Sequence, residues 1–230
     1  IPGVELERSY GAAEFVAWYD GHPDFPRTWP LEEEKVAVIE FQRPEARNAL
    51  NPEIMDGLEA AFDRAEADGV FVIVLTGQGT VFSAGADLRS GAVLDKNFME
   101  RVIRFYRRVE AMKQILVAAV NGPAMGLGCD IAGLGDIRIA SERASFGVPF
   151  LKLGIIPGDG GSWLLPRNIG YARAAEMLFT ARSIDAETAE RWGLVNRVVP
   201  HDALLDEALA TAAQIAAQPP QALRMAKALL

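Results

Sequence analysis

Val72-Ile73-Val74-Leu75 leading to Phe82-Ser83-Ala84-Gly85-Ala86-Asp87-Leu88, and Ile115-Leu116-Val117-Ala118-Ala119-Val120 leading to Asn121-Gly122-Pro123-Ala124-Met125-Gly126-Leu127-Gly128-Cys129-Asp130, decide how this chain is read. In each, an apolar run with the continuous hydrophobicity of a buried strand stops at small residues. Glycines there let bare peptide N–H groups approach another molecule. Small residues after a strand also occur wherever a helix packs close to a sheet, so either loop alone reads as structural. As a pair, each after a buried strand, they fit an oxyanion hole of backbone donors, often the largest single catalytic contribution. The chemistry they point to passes through an enolate or similar anion.

Outward from these loops the periods alternate between strand and helix. Val36 to Phe41 reads as a strand. Asn51-Pro52 supplies a cap and first turn for a helix that puts Ile54, Leu58, Ala61, Phe62 and Ala65 on one face and closes at Gly69. Val70 to Leu75 reads as the next strand, Phe98 to Met112 as a second amphipathic helix, and Ile115 to Val120 as another strand. Gly126 to Gly135 opens a short helix, followed by Asp136 to Ala140 as strand. Beyond Pro149 the pattern turns helical over Gly160–Ile169, Ala172–Phe179, Asp185–Trp192 with Asp185 capping, Asp202–Ala217 and Pro220–Leu230. This βαβ order implies an α/β fold with right-handed crossovers.

Composition bounds the function. With 230 residues, half of them apolar, the chain holds enough material for a sizeable core. No stretch approaches the roughly 20 apolar residues of a membrane helix, and no signal peptide precedes the first motif, so a cytoplasmic address is expected. Cys129 is the only cysteine, which excludes internal disulfides and thiolate-rich metal sites; with only His22 and His201 beside it, no metal is expected. The net charge of −8 argues against general nucleic-acid binding. An anionic ligand must therefore find local basic groups.

Four ordered motifs resemble the crotonase (enoyl-CoA hydratase/isomerase) family: Arg43-Pro44-Glu45-Ala46-Arg47-Asn48-Ala49-Leu50, Ser83 to Leu88, Ala119-Val120-Asn121-Gly122-Pro123-Ala124, and the tail holding Gly154-Ile155-Ile156-Pro157 and Ala186 to Val199. The resemblance runs from about Val36 to Leu230. It implies a crotonase-like spiral of β-β-α turns with a C-terminal helical trimerisation region. Residues 1–35 read as an N-terminal extension or insertion, with Trp18 to Pro26 as a loop, 36–200 as the core, and 201–230 as a C-terminal helical region lacking the family's final helices. A homo-trimer or hexamer acting on an acyl-CoA is implied. The CoA thioester is the substrate, and no separate cofactor is expected.

Residue by residue, the resemblance assigns the thioester oxygen to the backbone N–H groups of Ala86 and Leu127. Leu127 replaces a usual glycine, harmless if its φ is negative. CoA and substrate contacts fall to Ala46, Arg47, Ala84, Asp87, Leu88 and Phe150, with Arg47 reaching phosphate and Asp87 fixing its loop. The family's hydratases straddle the reacting carbons with two glutamates, one at the place of Asp130 and one at the place of Phe150. Phenylalanine carries no proton, so water addition loses a partner. Asp159, in Gly158-Asp159-Gly160-Gly161, resembles the carboxylate that isomerases of the family place nearby, although several of them carry it at the place of Gly158. Members that cleave a carbon–carbon bond of diketones carry it at the place of Asp159. Asp130 and Asp159 are thus the catalytic candidates, and both types also occur as helix caps or first-turn acids for stability alone.

Isomerisation of an enoyl-CoA is the reading these residues favour, with a diketone hydrolase or an inactive acyl-CoA-binding protein as alternatives. Gly126-Leu127-Gly128-Cys129-Asp130-Ile131 imitates a dinucleotide fingerprint, but Ile131 obstructs its last small position. No Gly-x-Ser-x-Gly occurs, and neither histidine follows a plausible nucleophile loop, which sets a serine hydrolase aside.

Overall fold

A computed structural model describes residues 15–19, 36–91, 95–158 and 160–229. In chain order its elements are β1 (Phe15–Tyr19), β2 (Val36–Phe41), α1 (Pro52–Ala67), β3 (Val72–Gly77), α2 (Lys96–Ala111), β4 (Ile115–Val120), β5 (Ala124–Met125) and α3 (Leu127–Gly133). There follow β6 (Ile137–Ser141), β7 (Ser145–Gly147), α4 (Gly161–Ile169), α5 (Tyr171–Thr180), β8 (Ser183–Asp185), α6 (Ala186–Trp192), β9 (Arg197–Val199), α7 (Leu204–Ala216) and α8 (Pro220–Ala228). Strands β2, β3, β4, β6 and β9 lie parallel in that order, and β1 joins the β2 edge antiparallel. A second sheet runs β5-β7-β8.

The central strands are apolar on both faces because both are covered. Ala37, Ile39, Phe41, Ile73, Leu75, Leu116 and Ala118 face the core built with α1, α2 and α3, whereas Val36, Val38, Val72, Val74, Val117 and Ile139 pack against Leu204, Ala208, Leu209 and Ala212 of α7. Burial on this scale, at about 25 cal/mol per Å² of apolar surface, is the main term favouring the fold. Lys227 on α8 donates to the Gln114 carbonyl at 2.6 Å and to Asp136 Oδ2 at 2.7 Å, and that same oxygen accepts from Leu116 N–H. One carboxylate thereby ties the last helix to the start of β4. On the outer face, Arg101, Arg104 and Arg108 of α2 pair with Asp56, Glu59 and Asp63 of α1.

Several boundaries differ from the sequence expectation. Residue Val70 belongs to the end of α1, because Gly69 (φ +74°) is left-handed, Gly69 N–H donates to Glu66 O and Val70 N–H to Ala65 O, the two bonds of a Schellman turn. Strand β3 therefore starts at Val72. The expected all-helical tail contains β8, β9 and a 3₁₀ turn over Pro149–Leu153. These strands are three residues long and complete existing sheet edges, so tertiary pairing overrides a local pattern too short to read. Trp18 and Tyr19, expected in a loop, close β1; the rest of that loop and most of residues 1–35 lie outside the described residues.

The loops after β2 and β3 are clamped together by polar side chains. Asn48 is left-handed (φ 52°) and buried; its Nδ2 donates to the Gln78 and Val81 carbonyls, and its Oδ1 accepts from Arg43 N–H. Arg43 Nη1 donates to Asp87 Oδ2 at 2.6 Å, and Asp87 Oδ1 accepts from Arg89 N–H at 2.9 Å. The Arg43 hydrogen bond holds the Asp87 carboxyl below its ordinary range. A depressed carboxyl stabilises the fold above its unfolded pKa of about 3.9, and that contribution disappears as pH falls through the lower folded value. Asp87→Asn should accordingly cost about 2 kcal/mol in urea unfolding at pH 7. The gap from the parent should narrow below about pH 4; an equal gap at pH 3 and pH 7 counts against the clasp.

Candidate active site

Ser83 to Asp87 threads between two other backbone segments. On one side Leu50 N–H donates to Gly85 O and Asp87 N–H to Leu50 O, each at 2.8 Å. On the other, Met125 N–H donates to Ser83 O at 2.9 Å, and Ser83 pairs with Ala124. Close approach depends on missing side chains. A Cβ on Gly85 (φ +89°) would stand 2.5 Å from Met125 O and 3.4 Å from Leu127 N, and one on Gly128 would stand 2.6 Å from Ser83 O. The peptide between Gly85 and Ala86 is thereby pressed against the start of α3.

The Ala86 and Leu127 N–H groups, the two expected oxyanion donors, are brought together by this weave. Neither donates a hydrogen bond to any described residue, whereas Leu50, Asp87, Met125 and Gly126 around them all do. Leu127 opens α3 and is absent from the positive-φ residues, which meets the condition under which leucine replaces glycine without strain. Gly126 before it takes φ 52° and ψ −125°, a combination that a side chain would make costly.

Phe150 stands beside this turn. Its ring atoms Cε1 and Cζ lie 3.8 Å from where a Cβ on Gly126 would be, and it packs on the core while half-exposed. Asp130 follows Leu127 by three residues, so both lie on one face of α3. Asp130 is buried at 3% exposure, with its carboxylate against the first residue of α4: a Cβ on Gly161 would stand 2.5 Å from Oδ2 and closer still to Cγ and Oδ1. An anion at the start of a helix is favoured by the macrodipole. Gly160 beside it (φ +100°) receives the Tyr106 ring of α2, whose Cδ1 and Cε1 would sit 2.7 and 2.8 Å from a Cβ there. Asp159 lies outside the described residues.

The remaining expected contacts form one rim. Ala84 N–H donates to Arg47 O at 2.9 Å, which joins the Ala46-Arg47 turn to the exposed Ala84. Arg47 is exposed in a left-handed conformation (φ 55°), and its guanidinium makes no hydrogen bond or ion pair among the described residues. Leu88 is 57% exposed. Asp87 is engaged with Arg43 and the Arg89 N–H, so its role is the loop-fixing one.

Other candidates are structural. Ser141 Oγ and His201 Nδ1 are 3.0 Å apart, a Ser–His contact that sequence reading did not anticipate, but Ser141 is fully buried and out of reach of any substrate. Cys129 is a buried core thiol. No group of three or more potential metal-ligating residues exists among the described residues, and no described helix is long and apolar enough to cross a membrane. Sequence reading missed Tyr106, whose helical spacing marks it only as core, and the glycine doublet Gly160-Gly161, whose adjacency to Asp159 was the available signal.

The comparisons agree with this geometry. Residues 32–230 match the model of the enoyl-CoA hydratase/isomerase family. A probable enoyl-CoA hydratase of Mycobacterium tuberculosis is 41% identical over 198 residues, spanning 85% of this chain and 77% of that protein. The 2,3-dehydroadipyl-CoA hydratase of Escherichia coli is 39% identical over 198 residues, spanning 85% and 78%. Among solved structures, an enoyl-CoA hydratase from Bacillus anthracis superposes with a TM-score of 0.81 at 36% identity, covering 86% of this chain and 79% of the other. With the fold, the family model and these relatives in agreement, the chain belongs to the crotonase, or enoyl-CoA hydratase/isomerase, family.

Proposed function

We propose that this chain acts on an enoyl-CoA thioester through an enolate and moves its double bond rather than adding water across it. The observation that carries the reading is Phe150 beside Gly126, at the place where the family's hydratases hold their second glutamate. A phenyl ring can neither activate nor protonate water, whereas a double-bond shift needs one carboxylate to take a proton from C2 and return it at C4. Several relatives carry hydratase names, which support the common enolate chemistry and leave the choice of product to the proton carriers.

In this scheme the thioester oxygen, as it gains charge, accepts from the Ala86 and Leu127 N–H groups, which the protein leaves undonated. Asp159 moves the proton, in keeping with the family's isomerases that place a carboxylate in this segment, several of them one position earlier at the place of Gly158, and Asp130 assists from α3. Arg47 meets a CoA phosphate from its exposed turn. No separate cofactor enters the scheme. A homo-trimer or hexamer in the cytoplasm completes the proposal; the exposed Ile156, Trp163, Tyr171 and Phe179 are in keeping with subunit contact, and sedimentation would read the assembly. A second reading, hydrolysis of a diketone carbon–carbon bond without CoA, is favoured only by Asp159 standing where such members carry it.

Three measurements test this. The parent should convert 3-enoyl-CoA to 2-enoyl-CoA and hydrate 2-enoyl-CoA poorly. Asp159→Asn should abolish the first conversion, so parental isomerisation by that variant, or efficient hydration by the parent, overturns the assignment. Leu127→Pro removes one N–H at a helix position that tolerates proline, and should cost about 3 kcal/mol of transition-state stabilisation with the fold kept; Leu127→Ala should retain most activity. By calorimetry, acyl-CoA should bind, and Arg47→Ala should weaken it by about 1 to 2 kcal/mol. Absence of CoA-ester binding would leave the diketone hydrolase as the better account.

A further inference from the structure

Gly160 and Gly161 occupy the last non-helical and first helical positions of α4, and each abuts a side chain from a different helix. At Gly161 the neighbour is the Asp130 carboxylate, with all three of its terminal atoms within 2.5 Å of where a Cβ would be. At Gly160 it is the Tyr106 ring. Close approach of this kind exists only because the two consecutive positions have no side chains. Tyr106 is also buried, at 7% exposure, so neither it nor Asp130 has open solvent to retreat into.

We propose that Gly161 is a positioning residue: its missing side chain fixes the Asp130 carboxylate against the start of α4, one helical turn from the Leu127 N–H, while Gly160 seats Tyr106 as the wall behind it. The proposal rests on the enolate reading for its catalytic part and stands on packing alone for its structural part. With a methyl group at position 161, the carboxylate must rotate away from the α4 terminus. A displacement of about 1 Å in a group that assists proton transfer costs roughly 100-fold in rate while leaving remote binding contacts intact.

The test combines turnover with a stability cycle. Gly161→Ala should lower kcat for the enoyl-CoA reaction about 100-fold with KM changed less than about threefold, since the CoA contacts lie elsewhere. Exposed Ser162→Ala should keep parental kcat. In thermal unfolding without substrate, Gly161→Ala should lower Tm by about 4 °C, and by less than about 1 °C when Asp130→Ala has already removed the carboxylate. Should Gly161→Ala fail to fold, the double variant should fold. Parental kcat in Gly161→Ala, an equal loss of Tm with and without the Asp130 carboxylate, or a double variant as unfolded as the single one overturns the proposal. A parent that turns over no enoyl-CoA but shows the expected cycle would refute the enolate reading and leave the packing relation standing.

Discussion

The close passage of Ser83–Asp87 between Leu50 and Met125–Leu127 is the constraint on which the site depends. Three backbone segments from three parts of the chain meet through N–H···O bonds of 2.8 to 2.9 Å, and side chains at Gly85 or Gly128 would overlap backbone atoms of the facing segment. Bonds of this kind are individually modest, about 1 kcal/mol net. Their collective effect is to leave the Ala86 and Leu127 N–H groups without acceptors among the described residues, while the Leu50, Asp87, Met125 and Gly126 N–H groups beside them each have one. Buried N–H groups without an acceptor cost stability, and under the proposed function an anion would recover that cost.

Side chains then hold the weave from outside. Asn48 joins the Arg43 turn to the carbonyls of Gln78 and Val81, and Arg43 reaches Asp87 on the loop itself. Two consecutive non-glycine residues, Arg47 and Asn48, adopt left-handed φ to make this possible, a strain of order 1 kcal/mol or more each that the surrounding hydrogen bonds over-determine. The same turn presents the Arg47 guanidinium to solvent. The same local geometry that locks the Ser83–Asp87 loop thus also leaves Arg47 exposed.

A second convergence organises the carboxylate side. Helices α2, α3 and α4 meet where Tyr106, Asp130 and the Gly160-Gly161 pair touch, and Phe150 flanks Gly126 on the same α3 terminus. The ion pairs between α1 and α2 lie on the exposed outer face, where such pairs add little individually, so α2 owes its place mainly to Phe98, Val102, Phe105 and Val109 in the core.

Much of this was legible in the sequence. Apolar runs match β2 and β4 to the residue, β4 without a polar residue and β2 with Glu40 alone at its half-buried position, and Asn51 and Asp185 cap α1 and α6 through side chains that accept from Ile54 and Thr188 N–H. The four ordered motifs identified the family, and the resemblance put Ala86 and Leu127 forward as the expected oxyanion donors. Hidden from the sequence were β8 and β9, whose three residues form strands only because a sheet edge is waiting, and the start of β3, displaced by a Schellman turn at Gly69. The sequence also named Asp130 and the glycines after Asp159 without saying that they touch: local pattern records which residues share one helix face, whereas the contact between a carboxylate on α3 and a bare backbone on α4 exists only once the helices are packed.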